Sequence, residues 1–399
     1  MIERRTLGEI PGKPHSVFRP RGASTNASEF VLTRDGFSGG FSLLYQADAP
    51  TAVVGNAFQG GDHRRLLGEV LSPAEVPLAR RHVETWRAPQ GNDLLSSRTA
   101  LWRHETCRIS VVRAASVGEL ARGDYAFTNA DGDELWFVYS GSGTLITMFG
   151  RLRFAVNDYV LIPRGVPYVM EGDASGGDFE AFLVEGDPGI EIPADFRNPH
   201  GQLKLEAPYT HRDFRSPSEL PSTADAARFA RIVTLRNNTL SEHRYKTSPS
   251  RTIGWDGSVY PVAFNILDYL PKTGKIHLPP NLHTTFRSRN FVVCSFVPRL
   301  VDYAEGAIPC PYPHANVNCD EILYYVRGNF TSRKGIQPRS VSYHPIGMPH
   351  GPHPGNYFGS VGAKSTDELA VMVDTWFPLS LTRAAAGLED ANYPLSWGS

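Results

Sequence analysis

The chain has 399 residues, of which 41% are hydrophobic and 20% charged, and its formal net charge is −1. This balance argues against a broad basic surface for nucleic acid or an anionic membrane, and favours a small polar or aromatic substrate as the partner. No apolar run reaches the roughly 18 residues that a membrane span needs. The four cysteines are scattered, so we expect reduced thiols and a cytoplasmic location.

Short apolar runs separated by glycine and proline follow one another along the chain and predict β-strands. The clearest are Leu135–Tyr139, Tyr159–Ile162, Phe291–Phe296 and Leu369–Val373. Helical periodicity is weak, and Asp225–Val233 is the best candidate for a helix. The pattern predicts an all-β protein built from sandwiches or barrels, with few short helices.

Two stretches of the chain read alike, which indicates an internal repeat. The first, FTNADGDELWFVYSGSGTLI, begins at Phe127, and the second, HANVNCDEILYYVRGNFTSR, begins at His314. In each, a glutamate (Glu134 or Glu321) lies five residues after an asparagine and seven before a glycine. A P-x-G-x-x turn follows in both halves, so coincidence is a poor explanation.

The repeat resembles the two motifs of the cupins, His-x-His-x(3–4)-Glu-x(6)-Gly and Pro-x-Gly-x-x-His, which lie on neighbouring strands of a jelly-roll barrel. The resemblance implies a bicupin, with one barrel in each half of the chain. We place an N-terminal barrel within residues 1–205 and a C-terminal barrel within residues 206–399.

The two repeats differ in their potential metal ligands. The second supplies His314, Glu321 and His350, whereas Phe127 and Tyr168 stand at the two histidine positions of the first. A phenyl ring has no lone pair to donate, so we expect a degenerate, metal-free first barrel and a metal site in the second.

The second repeat has Asn316 where many cupins have a further histidine. Two histidines and one carboxylate with open positions are typical of non-haem Fe(II) that binds substrate and oxygen together. We therefore predict Fe(II), although zinc or manganese would accept the same ligands.

At these residues the chain resembles the homogentisate 1,2-dioxygenase family, in a short bacterial form. The stretches that carry the resemblance are GWDGSVYP from Gly254, NFVVCSFVPR from Asn290, PYPHANVNCDEILYYVRGNF from Pro311 and HPIGMPHGP from His344. The resemblance implies iron on the predicted triad, His283 as an acid/base near the substrate hydroxyl, and His344 and Tyr312 in the pocket. It also implies a homo-oligomer.

Two residues depart from the longer members of that family. Phe330 and Arg333 stand where those members have a tyrosine and a lysine. Tyr324 or Tyr325 could replace the missing tyrosine at the substrate. Arg333 could grip the carboxylate of an acidic substrate with two hydrogen bonds, or it could belong to a solvated hairpin edge.

The predicted function is ring cleavage of a dihydroxylated aromatic acid by O2, with homogentisate converted to maleylacetoacetate. One alternative is another reaction on the same fold, a gentisate-like dioxygenase or a zinc-dependent sugar-phosphate isomerase. Asn316 argues against the three histidines of gentisate enzymes, and no basic cluster for a phosphate accompanies the ligands. A non-catalytic, metal-binding bicupin is the alternative from a different class.

Overall fold

A computed structural model of the chain describes residues 3–36, 38–173, 177–186, 189–275, 282–307, 316–330 and 333–398. In this part of the chain strands predominate, and the α-helices are four or five residues long. The predicted all-β class with few short helices is therefore confirmed. Among the described residues, no helix is long and apolar enough to cross a membrane.

The strands before residue 200 are β1 (Arg5–Gly8), β2 (Ser28–Asp35), β3 (Ser38–Gln46), β4 (Val53–Phe58), β5 (Arg81–Glu84), β6 (Arg98–His104), β7 (Cys107–Ala114), β8 (Ala126–Asn129), β9 (Asp133–Ser140), β10 (Gly143–Thr147), β11 (Gly150–Phe154), β12 (Asp158–Ile162), β13 (Tyr168–Gly172) and β14 (Phe179–Gly186). The later strands are β15 (Phe214–Arg215), β16 (Arg231–Arg236), β17 (Thr239–Tyr245), β18 (Thr252–Gly257), β19 (Val262–Asn265), β20 (Thr284–Arg287), β21 (Phe291–Phe296), β22 (Arg299–Leu300), β23 (Asp320–Arg327), β24 (Ser340–His344), β25 (Ser365–Thr366), β26 (Leu369–Thr375) and β27 (Ser380–Leu381).

The α-helices are α1 (Arg64–Leu67), α2 (Val117–Leu120), α3 (Thr223–Ala227), α4 (Asn356–Gly359) and α5 (Arg383–Ala386). Short 3-10 helices cover Thr85–Arg87, Ala194–Phe196, His211–Asp213, Arg228–Ala230, Ile266–Asp268 and Tyr393–Gly398.

Two large sheets form the N-terminal barrel. One has the strand order β11-β10-β13-β8-β16-β17-β4, and the other has the order β15-β19-β12-β9-β14-β7-β6-β27. Their apolar faces enclose a core that includes Phe127, Leu135, Leu145 and Val184. Strands β9, β12 and β14 are buried along most of their length, which explains why they read as largely continuous apolar runs rather than as alternating ones.

The C-terminal barrel is built on a six-stranded sheet with the order β20-β21-β26-β23-β24-β5. The two halves exchange edge strands, because β5 comes from the N-terminal half and pairs with β24, while β27 comes from the C-terminal half and pairs with β6. A separate four-stranded sheet, β1-β18-β3-β2, joins the chain's N-terminal region to residues 252–257.

The strand pairing runs across the boundary predicted at residue 205. Strand β16 pairs in parallel with β8, and β19 pairs with β12, so residues up to 265 complete the sheets of the N-terminal barrel. The hydrogen-bonded sheets therefore do not divide at residue 205. The organisation into two separate domains, 1–205 and 206–399, stays a prediction.

Each predicted strand lies within an observed one, namely β9, β12, β21 and β26. The predicted helix Asp225–Val233 is wrong in its second half. A capping box between Ser222 and Asp225 starts α3, which ends at Ala227. From Arg231 onward the chain is strand β16, because pairing with β8 and β17 outweighs the weak local preference for helix.

Candidate functional site

A row of three polar side chains crosses the sheet of the second barrel. In the antiparallel ladder Glu321 on β23 lies opposite His344 on β24 and opposite Asp374 on β26. Residues directly opposite one another in a ladder project from the same face of the sheet. The strand pairing alone therefore brings a carboxylate, an imidazole and a second carboxyl group together.

The two carboxylate oxygens of Glu321 have different surroundings. Oε2 accepts hydrogen bonds from Nδ1 of His344 at 2.5 Å and from Nη2 of Arg333 at 3.2 Å. Oε1 lies 3.9 Å from Nε2 of His350. All four side chains are buried. One oxygen is thus held by the protein, and the other faces a second imidazole.

This arrangement is compatible with a metal ion. A separation of 3.9 Å between Glu321 Oε1 and His350 Nε2 is too long for a hydrogen bond. One ion can contact both atoms, since metal–oxygen and metal–nitrogen bonds are about 2.0–2.2 Å long. Carboxylate and imidazole together suit iron, zinc and manganese.

The predicted ligand His314 and the predicted pocket residue Tyr312 lie outside the described residues. Among the residues that the structure describes, no cluster of three or more His, Cys, Asp and Glu side chains is arranged to hold a metal. Because the predicted set needs His314, it stays a prediction.

The protonation of Glu321 and His344 follows from their burial and mutual contact. Burial opposes ionisation of Glu321, but the hydrogen bond from His344 and the charge of Arg333 lower the pKa of Glu321 below its ordinary value. Burial and the neighbouring charge of Arg333 lower the pKa of His344 to about 4. An ionised carboxylate only accepts hydrogen bonds, so we infer a neutral His344 with its proton on Nδ1.

Arg333 lies inside the barrel. Its side chain is only 3% exposed, which rules out the solvated hairpin edge. Besides Glu321, it donates from Nη1 to the backbone carbonyl oxygen of Gly351 at 2.8 Å. The predicted grip on a substrate carboxylate stays a prediction, and these two protein acceptors weigh against it.

The predicted role of Tyr324 at the substrate stays a prediction, and the position of its side chain weighs against it. Side chains alternate along a strand, so Tyr324 lies on the face of β23 opposite to Glu321. Its hydroxyl donates to Oε1 of Glu180 at 3.2 Å, and its ring stacks on Phe182 in the N-terminal barrel. Tyr325 shares the face of Glu321, and its hydroxyl is 3.0 Å from Oγ of Ser342.

His283 is buried just before β20. Its Nδ1 donates to the backbone oxygen of Ser295 at 3.3 Å, and its ring stacks on Phe296 with 4.4 Å between the centroids. A fixed donor at Nδ1 defines the orientation of the imidazole. Its predicted role as an acid/base near the substrate stays a prediction.

The sequence motifs missed the C-terminal turn, Tyr393–Gly398, which packs behind the site. The hydroxyl of Tyr393 lies 3.4 Å from Nε2 of His344 and the ring of Trp397 stacks on His353 at 3.8 Å between centroids. Since His344 carries its proton on Nδ1, Nε2 accepts from Tyr393. The segment NYPLSW contains two aromatic residues, but it matches no motif that would have assigned them to the site.

Asp374 was also missed. Burial, and then the negative charge of Glu321, raise the pKa of Asp374 well above its ordinary value. Its Oδ1 is buried and makes no hydrogen bond to any described residue. An acidic residue inside the otherwise apolar strand LAVMVDT is the sequence signal that could have found it.

The first barrel has a different arrangement around its motif glutamate. Arg98 donates from Nη1 to Oε1 of Glu134 at 2.8 Å and from Nη2 to Oε2 at 3.2 Å. The hydroxyl of Tyr168 donates to Oε2 at 2.5 Å, and the guanidinium carbon lies 4.4 Å from the ring centre of Phe127. An internal cation therefore occupies both oxygens of Glu134.

Comparisons with known proteins identify the relatives of this chain. Residues 115–266 match the family described as homogentisate 1,2-dioxygenase N-terminal. A protein of Saccharolobus solfataricus, provisionally named a dioxygenase, is 35% identical over 100% of this chain and 99% of its own length. The homogentisate 1,2-dioxygenase of Rhodopseudomonas palustris strain BisA53 is 27% identical over 69% of this chain.

The chain spans 63% of the length of that Rhodopseudomonas enzyme. Among solved structures, a cupin 2 conserved barrel domain protein from Leptotrichia buccalis aligns at a TM-score of 0.36 and 10% identity, covering 76% of this chain and 99% of its own. That likeness is too distant to support a conclusion.

Proposed function

Because the chain belongs to the homogentisate 1,2-dioxygenase-like family of cupins, we propose that this dioxygenase opens the ring of a dihydroxylated aromatic acid with O2, using Fe(II). Homogentisate is the proposed substrate, with maleylacetoacetate as the product. A gentisate-like acid is the second candidate, because Phe330 and Arg333 replace the tyrosine and lysine of longer relatives.

One observation carries the proposal. Glu321 presents Oε1 toward Nε2 of His350 at 3.9 Å, while Oε2 is already held by His344 and Arg333. A carboxylate ligand that is fixed through its second oxygen is the usual arrangement at protein metal sites. We propose that His314 completes the ligand set. Bound iron would supply the redox chemistry that lets O2 react with an aromatic ring.

The protein's own groups would orient and deprotonate the substrate. We propose that His283 takes the proton of the phenolic hydroxyl, because Nδ1 is already engaged with the Ser295 backbone and the remaining ring nitrogen is its basic atom. His344 stays neutral through burial and acts on Glu321 as a hydrogen-bond donor. We expect Tyr312 to line the same pocket.

The surroundings of Glu321 would keep bulk water from the reacting ring. On its face of β23 the next residues are Leu323 and Tyr325, which belong to a buried apolar cluster with Phe330 and Ala370. An apolar wall that excludes water strengthens the electrostatic interactions inside the site and prevents side reactions.

We also propose that the protein works in the cytoplasm as a homo-oligomer. The described cysteines, Cys107, Cys294 and Cys319, are free and buried, as expected in a reducing compartment. The oligomer rests on the family resemblance, and light scattering of the purified protein tests it.

The test of the function is anaerobic loading of the purified chain with Fe(II), followed by oxygen uptake with a panel of aromatic acids. We expect uptake with homogentisate, or with gentisate if the second candidate holds, and a ring-opened product. No uptake with any dihydroxylated aromatic acid, from protein that has bound iron, would contradict the proposal.

A further inference from the structure

Arg333 joins the two parts of the chain that carry Glu321 and His350. Its Nη2 donates to Oε2 of Glu321 at 3.2 Å, and its Nη1 donates to the carbonyl oxygen of Gly351, the residue after His350, at 2.8 Å. The planar guanidinium fixes the angle between these two donors. One side chain therefore spans the carboxylate and the backbone beside the imidazole.

The first barrel provides an internal comparison. There Arg98 binds Glu134 through both carboxylate oxygens, at 2.8 and 3.2 Å. In the second barrel Arg333 has a hydrogen bond to Oε2 of Glu321 and none to Oε1. An arginine on the motif glutamate is thus common to both halves, but only the second leaves an oxygen for another ligand.

The packing around Arg333 holds it in this position. The guanidinium carbon lies 5.9 Å from the ring centre of Trp397, within the range of a cation–π contact. The hydroxyl of Tyr393 in the same C-terminal turn lies 3.4 Å from His344, which donates to the same oxygen of Glu321. Oε2 is therefore engaged from two sides.

We propose that Arg333 is a positioning residue for the metal rather than an anchor for the substrate. It holds Glu321 through Oε2, so that Oε1 alone is offered as a ligand, and it fixes the distance from Glu321 to the backbone that carries His350. This inference rests on the proposed function, because it requires that Glu321 and His350 bind a metal.

The proposal makes a specific claim about which substitutions are tolerated. Lysine can reach one acceptor with its ammonium group but cannot span both in a fixed plane. Arg333→Lys should therefore retain part of the function of arginine, and Arg333→Gln should retain little. Arg339→Gln is the control, because Arg339 is another arginine of the C-terminal half that pairs with a buried glutamate, and that glutamate is Glu180, not Glu321.

The experiment measures metal affinity, with no need for turnover. Metal-free full-length protein is titrated anaerobically with Fe(II), and in parallel with Mn(II), by calorimetry. Loss of a group that orients a metal ligand typically weakens affinity about 10–100-fold. We expect that loss for Arg333→Gln, an intermediate loss for Arg333→Lys, and affinity within about threefold of wild type for Arg339→Gln.

Three results would overturn the inference. One is wild-type affinity in Arg333→Gln. Another is an equal loss in Arg339→Gln, which would point to general destabilisation. Wild-type protein that binds neither metal would remove the proposed function itself, and the inference with it.

A second measurement separates positioning from substrate anchoring. At saturating Fe(II), a positioning role predicts that Arg333→Gln lowers kcat/KM by a similar factor for an aromatic acid and for an uncharged hydroquinone. An anchor for the carboxylate would instead raise KM for the acid alone, and that outcome would contradict the proposal.

Discussion

Tyr324 of the second barrel donates a hydrogen bond to Glu180 of the first barrel at 3.2 Å. Glu180 also accepts from Nε of Arg113 at 3.1 Å and from Nη2 of Arg339 at 2.5 Å. The carboxylate is almost fully buried, so it needs these donors to offset its desolvation. The two barrels are thus joined by a polar cluster within their apolar contact.

We predict that Tyr324→Phe destabilises the protein without affecting the metal site. A hydrogen bond to a buried charge contributes roughly 1.5–3 kcal/mol to stability. Because two arginines still contact Glu180 in the variant, we expect a loss of stability at the lower end of that range. The thermal midpoint should fall by a few degrees. Metal content should equal that of wild type, because Tyr324 faces away from Glu321.

Tyr303→Phe is the control for this change. Because Tyr303 is 68% exposed, removing its hydroxyl should change the stability of the protein by a negligible amount. If Tyr324→Phe instead abolished metal binding at an unchanged midpoint, the assignment of Tyr324 to the barrel contact would fail.

Arg98→Met should destabilise the first barrel by about 3–5 kcal/mol, because it leaves Glu134 buried without its cation. Arg98 and Glu134 are each 1% exposed, so solvent cannot replace the lost pair. Adding Glu134→Gln to Arg98→Met should recover part of the lost stability, because the unpaired buried charge is then removed. Denaturant unfolding measures both variants, and a cost below about 1 kcal/mol for Arg98→Met would show that the pair is not a structural cation site.

Glu368 predicts a pH dependence of stability. Burial raises the pKa of this carboxyl to about 7, although the charge of Arg333 opposes the rise; Asp367 also raises it and Arg299 lowers it. Between the ordinary glutamate pKa and pH 7 the folded state binds the proton more tightly than the unfolded state. Stability is therefore lost as pH rises through this range, by up to about 3 kcal/mol.

Glu368→Gln removes the buried charge, so it should be more stable than wild type at pH 8 and show a flatter profile between pH 5 and 8. Unfolding midpoints at several pH values give the comparison. A wild-type profile that rises toward pH 8 relative to Glu368→Gln would contradict the sign of the effect.

The sequence predicted the parts of the fold that depend on local pattern. Continuous apolar runs became β9, β12, β21 and β26, because strands buried on both faces are apolar throughout. The motif spacing likewise grouped Glu321 with His350, and these side chains lie 3.9 Å apart; its third member, His314, lies outside the described residues. Tyr325 rather than Tyr324 could have been assigned to the face of Glu321 by counting in twos from position 321.

The rest depends on contacts between distant residues. Arg98 lies 36 residues before Glu134, in a strand where nothing local marks it as an internal cation. The pairing of β16 with β8 converted the end of a predicted helix into a strand. The contact between Tyr393 and His344 joins residues that are 49 positions apart in the sequence. Tyr393 belongs to the C-terminal turn, which carries no motif.

The central claim is that Glu321 holds a metal in the second barrel, and metal analysis of Glu321→Ala tests it most directly. After loading with Fe(II) and gel filtration, wild type and Tyr168→Phe should each retain about one iron per chain, and Glu321→Ala almost none, with the fold intact by circular dichroism. Full iron content in folded Glu321→Ala, or loss of iron from Tyr168→Phe, would contradict the account.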